Sequence, residues 1–435
     1  MTPISPDSSA SSSATPTATP TNGAPWTPWR TVMAFGVVSL AADMVYEGMR
    51  SMAGPFLGTL GASALTVGII TGAGEAIALV LRLVTGPMAD RSGRYWSLTF
   101  WGYALTAICV PLLAITPFLG VAGLATASTL ILLERTGKAV RSPSKSALLA
   151  GVAKKVGRGR GFAVHKAMDQ IGAFAGPLLM AGVAALTGRL WLAFAVLAIP
   201  GVISLLVLGQ LKRRTTLGEA VEEVAVQEVA SSGVADSGAA GSGVPDVREP
   251  RPPLPRAFHA FATSCALGTL GLMTFGVISF HLVEADLVTL AWVPVVYAMA
   301  MAIEAVAALL TGVAYDAWHA KVLYVLPVLI AFVPVLAFGG SLWLVLVGVA
   351  IWGLATGIQD STVKALVADL VPARSLGTAY GVFASFQGVA ALAGGVLAGG
   401  LYSSNLPLLV GIVAGLQVIS LALLVLTLRI RRLVR

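Results

Sequence analysis

The chain has 435 residues, 57% of them hydrophobic and only 11% charged, with a mean hydropathy of +0.86. A soluble domain carries about 25% charged residues, so much of this apolar surface must face lipid rather than a protein core. The formal net charge of +8 does not point to nucleic acid, because the bases lie between apolar runs and not on one polar face.

Residues 1–29 are rich in Ser, Thr, Pro and Ala and lack the basic start of a signal peptide, so they read as a disordered tail. Apolar runs follow at 30–57, 65–89, 96–117, 120–142, 161–186 and 190–211, then at 257–283, 288–314, 321–338, 341–370, 374–402 and 406–430. Each is near the ~20 residues that cross ~30 Å of hydrocarbon as a helix. Their apolarity is continuous and not alternating, which argues against a β-barrel. Residues 212–256 are the one long polar break, running from a basic start through Glu219, Glu222, Glu223 and Glu228 into a Gly/Ser/Ala-rich stretch. It reads as a tether in which 217–230 can form a short interfacial helix; a docking loop is the alternative. The expected fold is an all-α membrane protein of twelve helices in two pseudo-symmetric six-helix bundles, 30–211 and 257–430, with a basic tail at 431–435.

The bases sort by side. Arg91 and Arg94 follow run two, Lys154, Lys155, Arg158 and Arg160 run four, and Lys212, Arg213 and Arg214 run six. Lys321, Arg374 and the closing Arg429, Arg431, Arg432 and Arg435 continue the alternation, with Arg189 the clear exception. This positive-inside pattern predicts both termini in the cytoplasm; a bacterial inner membrane is the expected location. Cys109 and Cys265 fall inside apolar runs and read as packing residues. His165, His259, His281 and His319 are scattered and no nucleotide-binding loop is present, so neither an enzyme, a cofactor nor a metal is expected.

The chain also repeats itself. Thr85–Gly86 with Asp90 is echoed by Thr311–Gly312 with Asp316. Phe162-Ala163-Val164 with Gly176-Pro177 is echoed by Tyr380-Gly381-Val382 with Gly394-Gly395. Duplicated membrane bundles rock about a site between the halves, so transport of a small solute, driven by protons or by the solute itself, is the expectation. Gly68 and Gly72, Gly172 and Gly176, and Gly395 and Gly399 are spaced for close helix contact, and Pro177 adds a kink.

Gly86-Pro87-Met88-Ala89-Asp90-Arg91-Ser92-Gly93-Arg94 resembles the signature between helices two and three of the major facilitator superfamily. The resemblance implies twelve helices, a monomer, and a cytoplasmic charge relay in which Asp90, Arg91 and Arg94 hold the outward-facing state, with a base on helix four as partner. Arg141 is the candidate; Asp316 belongs to the decayed second copy. Gly172, Gly176 and Pro177 resemble the helix-five motif of the antiporters in this superfamily, departing from it at Ala163 and at Met180–Ala181. Asp43-Met-Val-Tyr46-Glu47 and Glu134-Arg135-Thr-Gly137-Lys138 resemble exporter-like bacterial members. Drug/proton antiport is the activity this implies.

A charge at bilayer depth costs ~2.5–3.5 kcal/mol on insertion scales, so each needs a partner or a wet cavity. Asp43 and Glu47 share one face of helix one; Glu134, Lys138, Arg141 and Lys145 form one stripe on helix four. Helix five brings His165 and Asp169, and helix two Glu75 and Arg82. The resemblance puts Asp43, Tyr46, Glu47, Glu134, Arg135 and Lys138 at mid-cavity, with Arg141 and Asp169 lower as gating pairs. Asp43 and Glu47 are then the proton sites; fixed ion pairs that only hold helices together are the alternative. Glu304, Gln359, Asp360, Lys364 and Gln387 are the sparse polar residues of the second half, where Phe275, Phe280, Trp292, Tyr297, Trp352, Phe383 and Phe386 supply a wall or packing. Uptake symport, anion exchange on the helix-four stripe, and a non-transporting receptor or scaffold remain open.

Overall fold

The computed structural model describes residues 26–215, 253–372 and 375–434, in which every regular element is helical. The tail at 1–25, the 217–230 stretch, Arg374 and most of the linker lie outside the described residues. The first half comprises α1 (Pro28–Thr59), α2 (Ala64–Val80), α3 (Arg82–Ser92), α4 (Tyr95–Leu112), α5 (Gly123–Val156), α6 (Arg158–Thr187), α7 (Leu190–Val196) and α8 (Ala198–Arg214). The second comprises α9 (Arg256–Leu272), α10 (Phe275–Glu284), α11 (Val293–Trp318), α12 (Val325–Ala337), α13 (Leu342–Ile358), α14 (Lys364–Leu370), α15 (Leu376–Tyr402) and α16 (Leu406–Val434). The expected linker start at 212 is displaced, since Lys212–Arg214 continue α8.

Among the described residues, ten stretches are long and apolar enough to cross a membrane. Val293–Ala337, at 45 residues, would be about 68 Å long as one helix at ~1.5 Å per residue. It breaks instead at His319, φ 50°, into α11 and α12. The 34-residue α5 escapes a test of apolarity because Glu134, Arg135 and Lys138 sit together in it. With that stretch taken as two spans and α5 as one more, the count is the expected twelve.

The repeat is visible in the contacts as well as in the letters. One register carries Thr85, Gly86, Asp90 and Gly93 onto Thr311, Gly312, Asp316 and His319. Thr85 Oγ1 donates to Ala139 O at 2.9 Å, tying span two to span four; Thr311 Oγ1 lies 3.0 Å from Ser361 Oγ, tying span eight to span ten. Gly93 ends α3 with φ 65°, and His319, at the equivalent position, ends α11 with φ 50°. Glycine adopts this backbone freely; histidine does so at a cost.

Close backbone approach sets the registers that matter. Within the first half α1 and α6 run parallel, Gly36 facing Met168, Leu40 facing Gly172 and Met44 facing Gly176. A Cβ at Gly172 or Gly176 would land on the Leu40 or Met44 carbonyl. Between the halves α2 and α15 run antiparallel, Ala64 on Gly399, Gly68 on Gly395, Gly72 on Ala391 and Ala76 on Gly388. At the end remote from the termini Gly54 of α1 presses on the Gly276 carbonyl and Gly58 on Phe280. Small residues are what permit such contacts where water drives no association.

Span seven is broken. Met273, φ 62° and ψ 170°, separates α9 from α10 in a backbone region that is nearly exclusive to glycine. Trp352 Nε1 donates to its carbonyl at 3.4 Å, and Thr274 Oγ1 lies 2.8 Å from Thr71 Oγ1 across the two halves. Span ten carries a π-helical turn, Gln359–Val363. The main packing partners of α5 are α1, α2, α3, α4 and α6, all in the first half, while the π turn packs on α11, α13 and α14 of the second. The charged stripe of α5 and the exposed Asp360 thus belong to different walls.

Candidate functional site

Six side chains on α1, α2 and α5 form an alternating chain of acid and base. Glu47 lies 3.6 Å from Arg50, Arg50 3.2 Å from Glu75, Glu75 3.6 Å from Arg135, Arg135 3.5 Å from Glu134, and Glu134 3.9 Å from Arg141. Removing one member of a buried pair leaves the other charged without a partner, which costs about 3–5 kcal/mol. Glu134 is wholly buried and accepts a 3.1 Å hydrogen bond from Thr106, to which Arg141 also donates. Tyr46, 1% exposed, takes a hydrogen bond from Arg135 and offers its ring to Arg135 at 4.3 Å and to the Lys138 ammonium at 3.5 Å. A cation over an aromatic face is attracted by the ring quadrupole. Among the described residues Lys138 has no ion pair closer than 4.0 Å.

A second cluster lies one turn below on α1. Asp43 and Asp169 interact electrostatically with each other and with Lys145. Ser39 Oγ sits 2.7 Å from His165 Nε2 and 3.2 Å from Lys145 Nζ, and His165 Nδ1 lies 3.9 Å from Asp169. Two carboxylates side by side repel, which favours a proton on one of them, and a neighbouring ammonium opposes it. The parallel register of α1 on Gly172 and Gly176 brings the two acids together.

The repeat gives this pair a neutral counterpart. The register that carries Met44 onto Leu270 and Gly176 onto Gly394 carries Asp43 onto Thr269 and Asp169 onto Gln387. Gly394 meets the Leu270 carbonyl as Gly176 meets that of Met44, and Thr269 donates to Gln387 Oε1. The same geometry thus holds two carboxyls in one half and a hydroxyl–amide pair in the other.

Several sequence expectations are rearranged. Glu75 joins Arg50 and Arg135, and the expected Glu75–Arg82 ion pair does not form. Arg141 turns to Glu134 and Thr106 and not to Asp90, whose carboxylate accepts from Tyr95 at 3.2 Å. Arg91, Arg94 and Asp316 are exposed. Gly93 supplies the turn expected of it, but Gly86 sits inside α3 with open space around it. Pro177 lies within α6. Of the aromatic wall, Phe275, Tyr297 and Trp352 are packed together with Phe275 4.6 Å from Tyr297 and 5.7 Å from Trp352, whereas Trp292 is 60% exposed. Tyr297, expected as wall or packing, also reaches the ion-pair chain, a link the sequence did not indicate: its hydroxyl donates to Glu47 at 2.5 Å from the other half. Arg50, three residues after Glu47 on one helix face, was the available clue to the ion-pair chain.

Residues 35–303 match the Major Facilitator Superfamily. Uncharacterized proteins of Mycobacterium bovis and Mycobacterium tuberculosis are 46% identical over 398 residues, covering 91% of this chain and 92% of theirs. In overall shape the chain resembles a crystal structure of the nucleoside transporter NupG, with TM-score 0.69 and 13% identity over 91% of this chain and 99% of that one. It also resembles a peptide transporter POT, with TM-score 0.67 and 17% identity over 93% and 95%. At such identities these likenesses concern the fold alone. The chain belongs to the Major Facilitator Superfamily, as a multi-pass membrane protein and secondary transporter of a small molecule.

Proposed function

We propose that this protein is a proton-coupled exporter of a small, partly apolar organic solute, working as a monomer in the bacterial inner membrane with both termini cytoplasmic. The observation that carries the reading is the Asp43–Asp169 carboxyl pair beside Lys145, because a pair that holds one proton and faces a fixed cation can load and discharge it as the halves move. The helix-five glycines support antiport, since Gly172 and Gly176 clamp α6 onto the stretch of α1 that bears Asp43. The one-sided distribution of bases supports the orientation, and the mycobacterial relatives support the membrane. Asp90, Arg91, Gly93 and Arg94 then act at the cytoplasmic gate, with Asp90 free to exchange its Tyr95 contact for a base when that side closes.

The second half suggests the test. The double substitution Asp43→Thr with Asp169→Gln copies the neutral Thr269–Gln387 pair into the first half. In proteoliposomes with an imposed pH gradient, a solute panel and a lumenal pH dye, the parent should move solute and proton in opposite directions. The double variant should exchange solute down its own gradient and ignore the pH gradient. Proton-linked flux surviving in that variant refutes the assignment; solute and proton moving together refutes export.

A second reading has one observation behind it. Lys138 rests on Tyr46 without an ion-pair partner, a position from which it can receive a carboxylate or phosphate, as anion exchange or uptake symport would need. Stimulation of counterflow by anionic but not by neutral solutes, lost in Lys138→Gln, would select that reading.

A further inference from the structure

Among the described residues, two side-chain hydrogen bonds tie the halves together in this conformer, Thr71 to Thr274 at 2.8 Å and Tyr297 to Glu47 at 2.5 Å. The second is different in kind, because its acceptor is a carboxylate. Tyr297 is completely buried, its ring packed on Phe275, while Glu47 is half-buried and also faces Arg50. The bond lies in the part of the molecule where Gly54 and Gly58 of α1 are pressed on Gly276 and Phe280 of α10. It therefore joins the halves on the side that is shut.

Glu47 is also the end of the ion-pair chain. Glu75 touches two bases and so does Glu134, but Glu47 touches Arg50 alone. A proton arriving on Glu47 breaks one ion pair, where on either of the others it breaks two. The groups around it are Arg50 and Tyr46 on α1, Glu75 on α2, Arg135 on α5, and Tyr297 and Glu304 on α11. Asp169 on α6 engages Asp43, His165 on α6 engages Ser39 and Asp169, Tyr103 on α4 faces Ser39, and His281 on α10 is taken up by Tyr402 and Gly339. The bases of α8, Lys212, Arg213 and Arg214, lie in its last turn.

We propose that Tyr297 is the positioning residue that converts proton occupancy of Glu47 into movement of the two halves, holding the side remote from the termini shut while Glu47 is charged and releasing it when Glu47 is neutral. The idea rests on the proton-coupled reading. A hydroxyl donates to a carboxylate more strongly than to a neutral carboxyl, so the latch weakens when the proton binds.

The test uses the full chain in lipid nanodiscs with spin labels at Arg189→Cys and Thr289→Cys, one exposed site on each half at that end, and Cys109 and Cys265 replaced by Ser. In the parent, the inter-label distance distribution should be short at pH 8 and gain a long component at pH 6. Tyr297→Phe keeps the ring and removes the bond, so the open-to-closed ratio at pH 8 should rise about tenfold or more, the ratio expected for loss of a hydrogen bond to a charged group. The pH response should vanish. Glu47→Gln should be equally flat with pH. Should Tyr297→Phe or Glu47→Gln respond to pH as the parent does, the latch is overturned and proton coupling stands. A parent that itself ignores pH overturns both.

Discussion

Two glycines on α6 differ in what a methyl group would meet, and this sets up a test of how the carboxyl pair is positioned. At Gly172 the added Cβ would sit on the Leu40 carbonyl oxygen and 3.0 Å from both the carbonyl carbon and the Cα. Ordinary contact begins at 3.4 Å, so α1 and α6 must part by about 1 Å to clear the Leu40 oxygen, and the obstacle is backbone that no rotamer change can clear. At Gly182, ten residues on along the helix, nothing lies within 4 Å. Overpacking costs about 1–3 kcal/mol, while replacing a helical glycine by alanine gains roughly 0.5–1 kcal/mol. Gly172→Ala should therefore lose about 1–2 kcal/mol net and Gly182→Ala gain up to about 1 kcal/mol. Thermal melting in detergent, followed by the monomer peak in size exclusion, should rank Gly182→Ala at or above the parent and Gly172→Ala below it. Proton-linked flux should fall in Gly172→Ala only, because the parted helices pull Asp43 from Asp169. Equal melting of the two variants would show that the α1–α6 register is not fixed by that contact.

Two further outcomes follow from local geometry. Arg50→Met leaves Glu47 without its base and removes one of the two bases of Glu75, so it should lower stability by about 3–5 kcal/mol; adding Glu47→Gln should recover part of the melting temperature, and no recovery would disprove the pairing. His319→Gly relieves a backbone that only glycine adopts freely, at an exposed site with no side-chain packing to lose, and should stabilise by about 1 kcal/mol, read as a rise in melting temperature.

The letters carried the architecture because membrane helices announce themselves by length and apolarity, and because the repeat kept its register. Thr85–Gly86 and Thr311–Gly312 were readable as copies, and each copy ties the equivalent pair of spans in its own half. What was not readable is which acid meets which base. Glu75 and Arg82 share a helix face, yet Glu75 faces Arg50 and Arg135 from two other helices; side-chain pairing between spans depends on helix rotation, and one sequence does not encode that visibly. Gly86 and Gly93 looked alike as turn glycines, although only Gly93 has a positive φ. The break at Met273 was hidden for a similar reason, since the residue that turns is neither glycine nor proline, although Gly271 and Gly276 flank it. The π turn around Asp360 likewise carries no breaker.

The arrangement of charge argues for an order among the acids that can be measured. Six charges at bilayer depth would be prohibitive if each stood alone, at ~2.5–3.5 kcal/mol apiece. They are tolerable because each neighbour in the chain has the opposite sign, so the field of each is cancelled close by. A chain of this kind is not uniform. Its interior acids, Glu75 and Glu134, each hold two bases in place, and Glu47 at the end holds one. Neutralising an interior acid leaves two guanidinium groups facing each other across an uncharged side chain. Neutralising Glu47 leaves Arg50 still paired with Glu75. Glu75→Gln and Glu134→Gln should therefore destabilise more than Glu47→Gln, by about 2 kcal/mol on the scale of buried pairs broken from one side. Glu47→Gln should in turn be the variant that alters conformational balance without loss of fold. Melting the three variants side by side in the same detergent checks the order; if Glu47→Gln is the least stable of them, the chain does not end where the distances place its end, and Glu47 is a structural acid like the others.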